Sequence, residues 1–316
     1  MVSYLMFIVG LFLLLFGGDW LVKGSIALAE KLDIPTLIIG ITIVALGTSA
    51  PELLISLQAA LSGFGGLAVG NVVGSNIANI LMVLAVPALI SPISCKEKNL
   101  SFSLFFLALV TIFFMIQIYF SPISRLDGIL LFISLAVFLS IQFYKMKTHQ
   151  NDKDIEYFYR EEIGRIPTSG WAVAKLIIIG MIALPLGSHL MVDAASDIAK
   201  QWNVSETIIG ITIIAIGTSL PELMTSLMAA RYKNASVAIG NVVGSNIFNI
   251  TGIMGLTAIM APISADNRIL SFDMWVMLAT TLFLITTSVL GFVLERRLGA
   301  ILLVSYCFYI AGIIFL

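Results

Sequence analysis

Gly70–Asn76 reads GNVVGSN, and the same seven letters return at Gly240–Asn246. A second word precedes each copy, GTSAPEL at Gly47–Leu53 and GTSLPEL at Gly217–Leu223. A shift of 170 residues superposes the two stretches without a gap, and 28 of 43 positions agree between Ile38–Ile80 and Ile208–Ile250. The match persists at the flank, where SPIS (Ser91–Ser94) faces APIS (Ala261–Ser264) and Ser101–Phe102 faces Ser271–Phe272. The chain is an internal duplication, and each copy carries one glutamate inside otherwise apolar sequence.

The surroundings of those words name the solvent. The chain has 316 residues, of which 59% are hydrophobic and only 11% charged, with a mean hydropathy of +1.05. A water-soluble domain carries about 25% charged residues, so the polar surface is too small for water. The lipid bilayer is the expected partner, and nucleic acid is not. Cys95 and Cys307 stand far apart without a pairing or metal motif. The N-terminal apolar run lacks a basic leader and a small-residue cleavage site, so it reads as a first membrane helix.

About 20 apolar residues cross the hydrocarbon core as a helix. Ten runs qualify, at roughly 4–29, 35–61, 67–90, 100–120, 126–144, 172–199, 205–231, 237–260, 270–292 and 299–316. They are long and do not alternate, which excludes a strand barrel. The polar stretch 145–170 divides the chain into residues 1–144 and 171–316, with five spans each. With the N-terminus outside, twelve basic residues fall in the cytoplasm: Lys31, Lys96, Lys98, Lys145, Lys147, Lys153, Arg160, Arg165, Arg231, Lys233, Arg296 and Arg297. Only Arg125, Lys200 and Arg268 fall outside. The positive-inside rule therefore places both termini externally and the loop 145–170 in the cytoplasm.

Five is odd, so the second half enters the membrane from the opposite face. The expected fold is all-α, with ten transmembrane helices in two inverted-topology repeats. That architecture is typical of secondary transporters, whose site lies mid-membrane between the repeats.

Thr48 and Ser49 precede Glu52 by four and three residues and share its helix face, and Ser56 continues the stripe. Pro51, inside the same span, removes a donor and frees a carbonyl near Gly47, which must find a partner or line a cavity. Thr218, Ser219, Pro221, Glu222 and Ser226 repeat the arrangement. In the next span Ser75 and Asn79 share a face, and Gly70 with Gly74 permits close helix approach. Their counterparts are Ser245, Asn249, Gly240 and Gly244. Joining the copies collects two carboxylates, hydroxyls, amide oxygens and freed carbonyls. Such an oxygen inventory suits hard cations, Ca²⁺ taking about 6–8 oxygens, and the lack of His or Cys argues against zinc, copper or iron. A membrane acid costs about 2.5–3.5 kcal/mol on insertion scales, so two of them without basic neighbours call for a cation or a proton.

These paired motifs resemble the two alpha-repeats of the sodium/calcium exchanger family, within the calcium/cation antiporter superfamily. The resemblance covers essentially the whole chain and implies a compact prokaryotic-type member in the plasma membrane. It implies ion binding at Thr48, Ser49, Glu52, Ser75 and Asn79, and at Thr218, Ser219, Glu222, Ser245 and Asn249. The backbone carbonyls of Ala45 and Ala215 would add oxygens. By the same resemblance the protein exchanges Na⁺ for Ca²⁺ as the first and sixth helices slide past a rigid core, with the ions as cargo and no cofactor. Asn249 departs from several relatives, which carry aspartate there. The neutral residue argues against potassium co-transport and keeps the site at two carboxylates.

The residues leave other readings open. A glutamate can carry a proton, which permits H⁺-driven exchange of Ca²⁺ or another divalent cation. A passive channel would need a continuous pore, which an inverted repeat does not favour. An enzyme is not expected, since no nucleophile–base pair shares a membrane stretch. Asp19 with Lys23, and His189, Asp193, Asp197 and Lys200 at helical spacing, read as intrahelical pairs or wet outer turns. Asp152, Asp154 and Glu156 form no complete twelve-residue calcium loop.

Overall fold

Where no water reaches the backbone, a peptide group must be satisfied within its own segment, and the α-helix does this. The computed structural model describes residues 2–97, 100–120, 122–148, 167, 169–204, 209, 212–213 and 215–315. The first half forms α1 (Val2–Leu32), α2 (Thr36–Thr48), α3 (Ala50–Leu61), α4 (Gly65–Ile90), α5 (Leu100–Phe120) and α6 (Arg125–Thr148). The second forms α7 (Gly170–Gln201), α8 (Ala215–Thr218), α9 (Leu220–Arg231), α10 (Ala235–Met260), α11 (Ile269–Val289) and α12 (Arg296–Phe315). Short strands β1 (Ile93–Ser94) and β2 (Val293–Leu294) pair antiparallel, Ile93 opposite Leu294, and a single bridge joins Ile123 to Ile263.

Among the described residues, eight helices are long and apolar enough to span a membrane, and the bent pair α2–α3 makes up to nine. The remaining expected span, 205–231, includes residues outside the described set; α8 and α9 are its described helices. Most of the connecting stretch 145–170 also lies outside the described residues.

Burial sorts the helices. The apolar windows of α4 and α10 are 78% and 83% buried, and every other window is at most 39% buried. The two helices that carry GNVVGSN are therefore central. Outer helices turn bulky apolar side chains such as Phe12, Phe105, Phe120 and Phe308 outward, as a lipid-facing surface requires. α1 and α7 pack backbone to backbone. A Cβ on Gly10 would lie 2.8 Å from the Gly187 carbonyl oxygen, and one on Gly187 would lie 2.8 Å from that of Gly10. Small residues allow this approach between membrane helices.

Two backbone irregularities shape the centre. The chain leaves helical geometry at Ser49 (φ −82°, ψ 9°) and at Ser219 (φ −84°, ψ 4°). Pro51 and Pro221 consequently stand in the first turn of a new helix and not inside a continuous one, a position where a missing N–H costs little. The axis bends by 46° between α2 and α3. In α4 and α10, residues Asn79–Val83 and Asn249–Ile253 form π-turns. The Leu84 N–H bonds the Asn79 carbonyl at 3.2 Å, and the Met254 N–H bonds that of Asn249. Such turns recur at functional sites.

Each central helix also begins on a carboxylate from the other half. Glu97, after β1, accepts a bond from Ser236 Oγ (2.9 Å) in the first turn of α10. Asp266 lies against the first turn of α4, where a Cβ on Gly66 would meet its oxygens at 2.7 Å. Negative charge at a helix N-terminus opposes the helix dipole. Burial raises the Glu97 carboxyl above the usual carboxylate range, partly offset by the Ser236 bond.

Candidate functional site

The breaks at Ser49 and Ser219 put each glutamate in the first turn of a helix, α3 for Glu52 and α9 for Glu222. The positive end of the helix dipole favours a carboxylate there. Thr48, Ser49, Glu52, Ser75, Asn79, Thr218, Ser219, Glu222, Ser245 and Asn249 are all buried. Glu52 is 1% and Glu222 0% exposed, and the two carboxylates lie within coulombic reach of each other.

The halves interlace. Ser49 Oγ donates to Glu222 Oε1 at 3.0 Å. Thr48 Oγ1 stands 3.1 Å from Asn241 Oδ1 and 3.4 Å from Ser245 Oγ. Thus the Thr-Ser pair of the first half closes on the glutamate and the GNVVGSN word of the second. Asn71 Nδ2 donates to the Glu52 carbonyl (3.2 Å) and to Ser56 Oγ (2.9 Å). Asn241 does the same to the Glu222 carbonyl (3.2 Å) and Ser226 Oγ (3.1 Å). Across the centre, Asn79 Nδ2 donates to Asn246 Oδ1 and Asn249 Nδ2 to Asn76 Oδ1, both at 2.9 Å.

What remains is a set of oxygens. Glu52 Oε1 and Oε2, Glu222 Oε2, Asn79 Oδ1, Asn249 Oδ1 and Ser219 Oγ are buried without a hydrogen-bond partner among the described residues. Buried acceptors are normally satisfied, and an ionised carboxylate in low dielectric is costly unless compensated. The two amide oxygens can only accept, as can the three carboxyl oxygens when the glutamates are ionised. Such a set of oxygens could hold a hard cation. Among the described residues no three His, Cys, Asp or Glu gather as a metal cluster, so the donors are hydroxyl and amide oxygens around one carboxylate pair.

The carbonyls are less free than the proline argument implies. That of Ala45 accepts from the Ser49 N–H (3.0 Å) and faces Thr48 Oγ1 at 3.2 Å. The Ser219 N–H bonds the Ile216 carbonyl at 3.1 Å. Ser188 on α7 donates to the Gly217 carbonyl at 2.6 Å, so a side chain serves it. Sequence reasoning missed Ser188, because nothing local links it to a residue 29 positions away. The holding bonds of Asn71, Asn76, Asn241 and Asn246 were also missed, although exact repetition of the word marked those residues. Gly240 does allow close approach, a Cβ there lying 2.8 Å from the Leu37 carbonyl oxygen. Residues 207–208, which match positions 37–38 in the other half, lie outside the described set.

Other singled-out residues stay apart from this centre. Asp19 and Lys23 pair at 2.9 Å, the Tyr232 hydroxyl donates to Asp19, and Lys23 lies 5.6 Å from the Tyr232 ring centroid. His189 and Asp193 pair at 3.4 Å on an exposed face. Cys95 and Cys307 form no disulfide. Asp152, Asp154 and Glu156 lie outside the described residues.

Comparison with known proteins fits this geometry. The family model described as sodium/calcium exchanger protein matches residues 2–144 and 173–315. The putative antiporter CaxA of Alkalimonas amylolytica is 38% identical over 312 residues, covering 98% of both chains. The sodium/calcium exchanger MaX1 of Methanosarcina acetivorans is 32% identical, covering 100% of this chain and 99% of its own. A solved structure of the sodium-calcium exchanger NCX_Mj superposes with a TM-score of 0.83 at 33% identity, covering 98% of each chain.

Proposed function

The chain belongs to the sodium/calcium exchanger family, and from that premise we propose that it is a secondary active antiporter exchanging Na⁺ for Ca²⁺ by alternating access. The observation that carries the reading is the Glu52 carboxylate, buried with neither oxygen meeting a donor among the described residues. Glu52 and Glu222 supply a formal charge of minus two. One Ca²⁺ neutralises it, and Na⁺ ions occupying the same oxygens do so in turn. Thr48, Ser49, Ser75 and Asn79, with Thr218, Ser219, Ser245 and Asn249, complete the coordination, joined by the carbonyls of Ala45 and Ala215.

The same charge explains exchange in place of leak. A bare pair of carboxylates is expensive in a low-dielectric centre, so the empty site resists the switch between faces. Loading with either cargo removes that cost. Transport of one ion in one direction is thereby tied to return of the other. Residues 1–144 and 171–316 act as the two inverted repeats, with 145–170 as a cytoplasmic connector. The protein sits in a prokaryotic plasma membrane with both termini external, as the lysine and arginine placement supports.

The test is Ca²⁺ uptake into Na⁺-loaded proteoliposomes diluted into Na⁺-free or Na⁺-rich buffer. Uptake that requires the outward Na⁺ gradient supports the reading. Uptake driven only by a pH gradient replaces it with proton antiport, and Ca²⁺ flux without any counter-ion replaces it with a channel.

A further inference from the structure

Asn79 and Asn249 can serve a cation with only one end of the amide. The oxygen accepts, and the NH₂ only donates and repels a cation. The two ends have nearly the same shape, so hydrogen-bond partners decide which one faces the ion. We propose that Asn76 and Asn246, the last residues of the two GNVVGSN words, are positioning residues that hold the oxygens of Asn79 and Asn249 toward the ions. The proposal rests on the exchanger reading of that site.

The bonds form a closed ring across the two halves. Asn76 Nδ2 donates to the Asn246 carbonyl at 3.2 Å, and Asn246 Nδ2 donates to the Asn76 carbonyl at 3.2 Å. Each amide thereby has its NH₂ committed to backbone and its oxygen left to accept. That oxygen takes the NH₂ of the opposite half's ligand: Asn76 Oδ1 takes Asn249, and Asn246 Oδ1 takes Asn79, both at 2.9 Å. Reversing either ligand would set oxygen against oxygen inside the ring and aim NH₂ into the site. As built, Asn79 Oδ1 and Asn249 Oδ1 are the atoms left buried and unpartnered. All four residues are buried.

Each half thus orients the other half's ligand. A merely structural role for Asn76 would hold α4 to α10 and leave ion affinity alone. An orienting role predicts a specific rescue. A carboxylate has an oxygen at both ends, so aspartate at the ligand position needs no orientation.

The experiment is a double-mutant cycle on the full-length protein in proteoliposomes, with Asn76→Ala, Asn249→Asp and the pair, measuring KM for Ca²⁺ and the maximal rate of Na⁺-driven uptake. Loss of the orienting bond is expected to raise KM in Asn76→Ala about tenfold, the scale of one buried hydrogen bond, with the maximal rate largely kept. Adding Asn249→Asp should recover most of that loss, and improve KM more in the Asn76→Ala background than in the wild type. Equal effects of Asn249→Asp in both backgrounds, or an unchanged KM in Asn76→Ala, overturn the proposal. Should Asn76→Ala fail to fold, the counterpart cycle of Asn246→Ala with Asn79→Asp decides by the same criteria. A wild type without Na⁺-dependent Ca²⁺ uptake overturns the exchanger reading itself, and the proposal with it.

Discussion

Asn71 and Asn241 occupy matching places in the two halves and make the same two bonds, to a glutamate carbonyl and a serine hydroxyl. Asp19 and His189 also match, 170 residues apart, and share nothing. Asp19 pairs with Lys23 and receives the Tyr232 hydroxyl, tying α1 to the end of α9. His189 meets only the exposed Asp193 one turn along its own helix among the contacts described, and the position matching Tyr232 is Ser62. Other outer contacts diverge likewise. Ser188 on α7 serves the Gly217 carbonyl, where α1 offers Gly18. Buried Asp273 accepts from Tyr309 (3.0 Å) and lies 3.6 Å from Arg268, where the first half places Ser103 under Gln142 (2.8 Å).

The two regions answer to different demands. A site reached in turn from both faces works best when the two halves hold the ion on nearly equal terms. The helices around it set only how the molecule packs and how it favours one arrangement over another, and those energies need not be equal.

The largest effect falls on the shared centre. Glu52→Gln and Glu222→Gln should each reduce Na⁺-driven Ca²⁺ uptake by about 100-fold or more, equivalent to about 2.8 kcal/mol of ion binding. Comparable losses in both, measured as uptake at low Ca²⁺, match a two-fold centre; a well-transporting Glu222→Gln would break the equivalence.

Within the centre the two serine hydroxyls are unequal. Ser49 donates to Glu222, and the Ser219 hydroxyl has no partner among the described residues. Hydrogen bonds to charged groups contribute about 1.5–3 kcal/mol, so Ser49→Ala should raise the Ca²⁺ KM roughly tenfold or more, and Ser219→Ala less. The ratio of the two KM values sharpens the comparison.

Outside the centre, Tyr232→Phe removes the bond to Asp19. We expect the unfolding temperature in detergent to fall by about 2 °C, with Ser62→Ala silent; equal shifts would erase the distinction between the halves. Smallest is Glu97→Gln. Because burial raises this carboxyl, it costs nothing below its ordinary titration range, where folded and unfolded forms are both protonated, and stability is lost as the pH climbs from that range through the raised value. The variant should therefore match the wild type in acid and melt slightly higher at neutral pH. A lower melting point at neutral pH would show that charge at the start of α10 outweighs the burial cost.

Much of this was legible in the chain. Apolar runs near bilayer length, the 170-residue repeat and the paired Glu-bearing words point to membrane helices, duplication and an oxygen-lined site, because hydropathy and repetition are properties of order along the chain. All ten side chains expected as ligands are buried. What order could not carry is pairing between residues far apart. Only the tertiary structure showed that Ser49 meets Glu222 across 173 positions, that Ser188 takes a carbonyl expected to serve an ion, and that Pro51 starts a helix and does not interrupt one. Nor could order show that Asn76 and Asn246 bond Asn249 and Asn79 across the two halves. Which end of each amide is left without a partner depends on which acceptor the other half brings to its NH₂, and that acceptor exists only once the two halves have folded together.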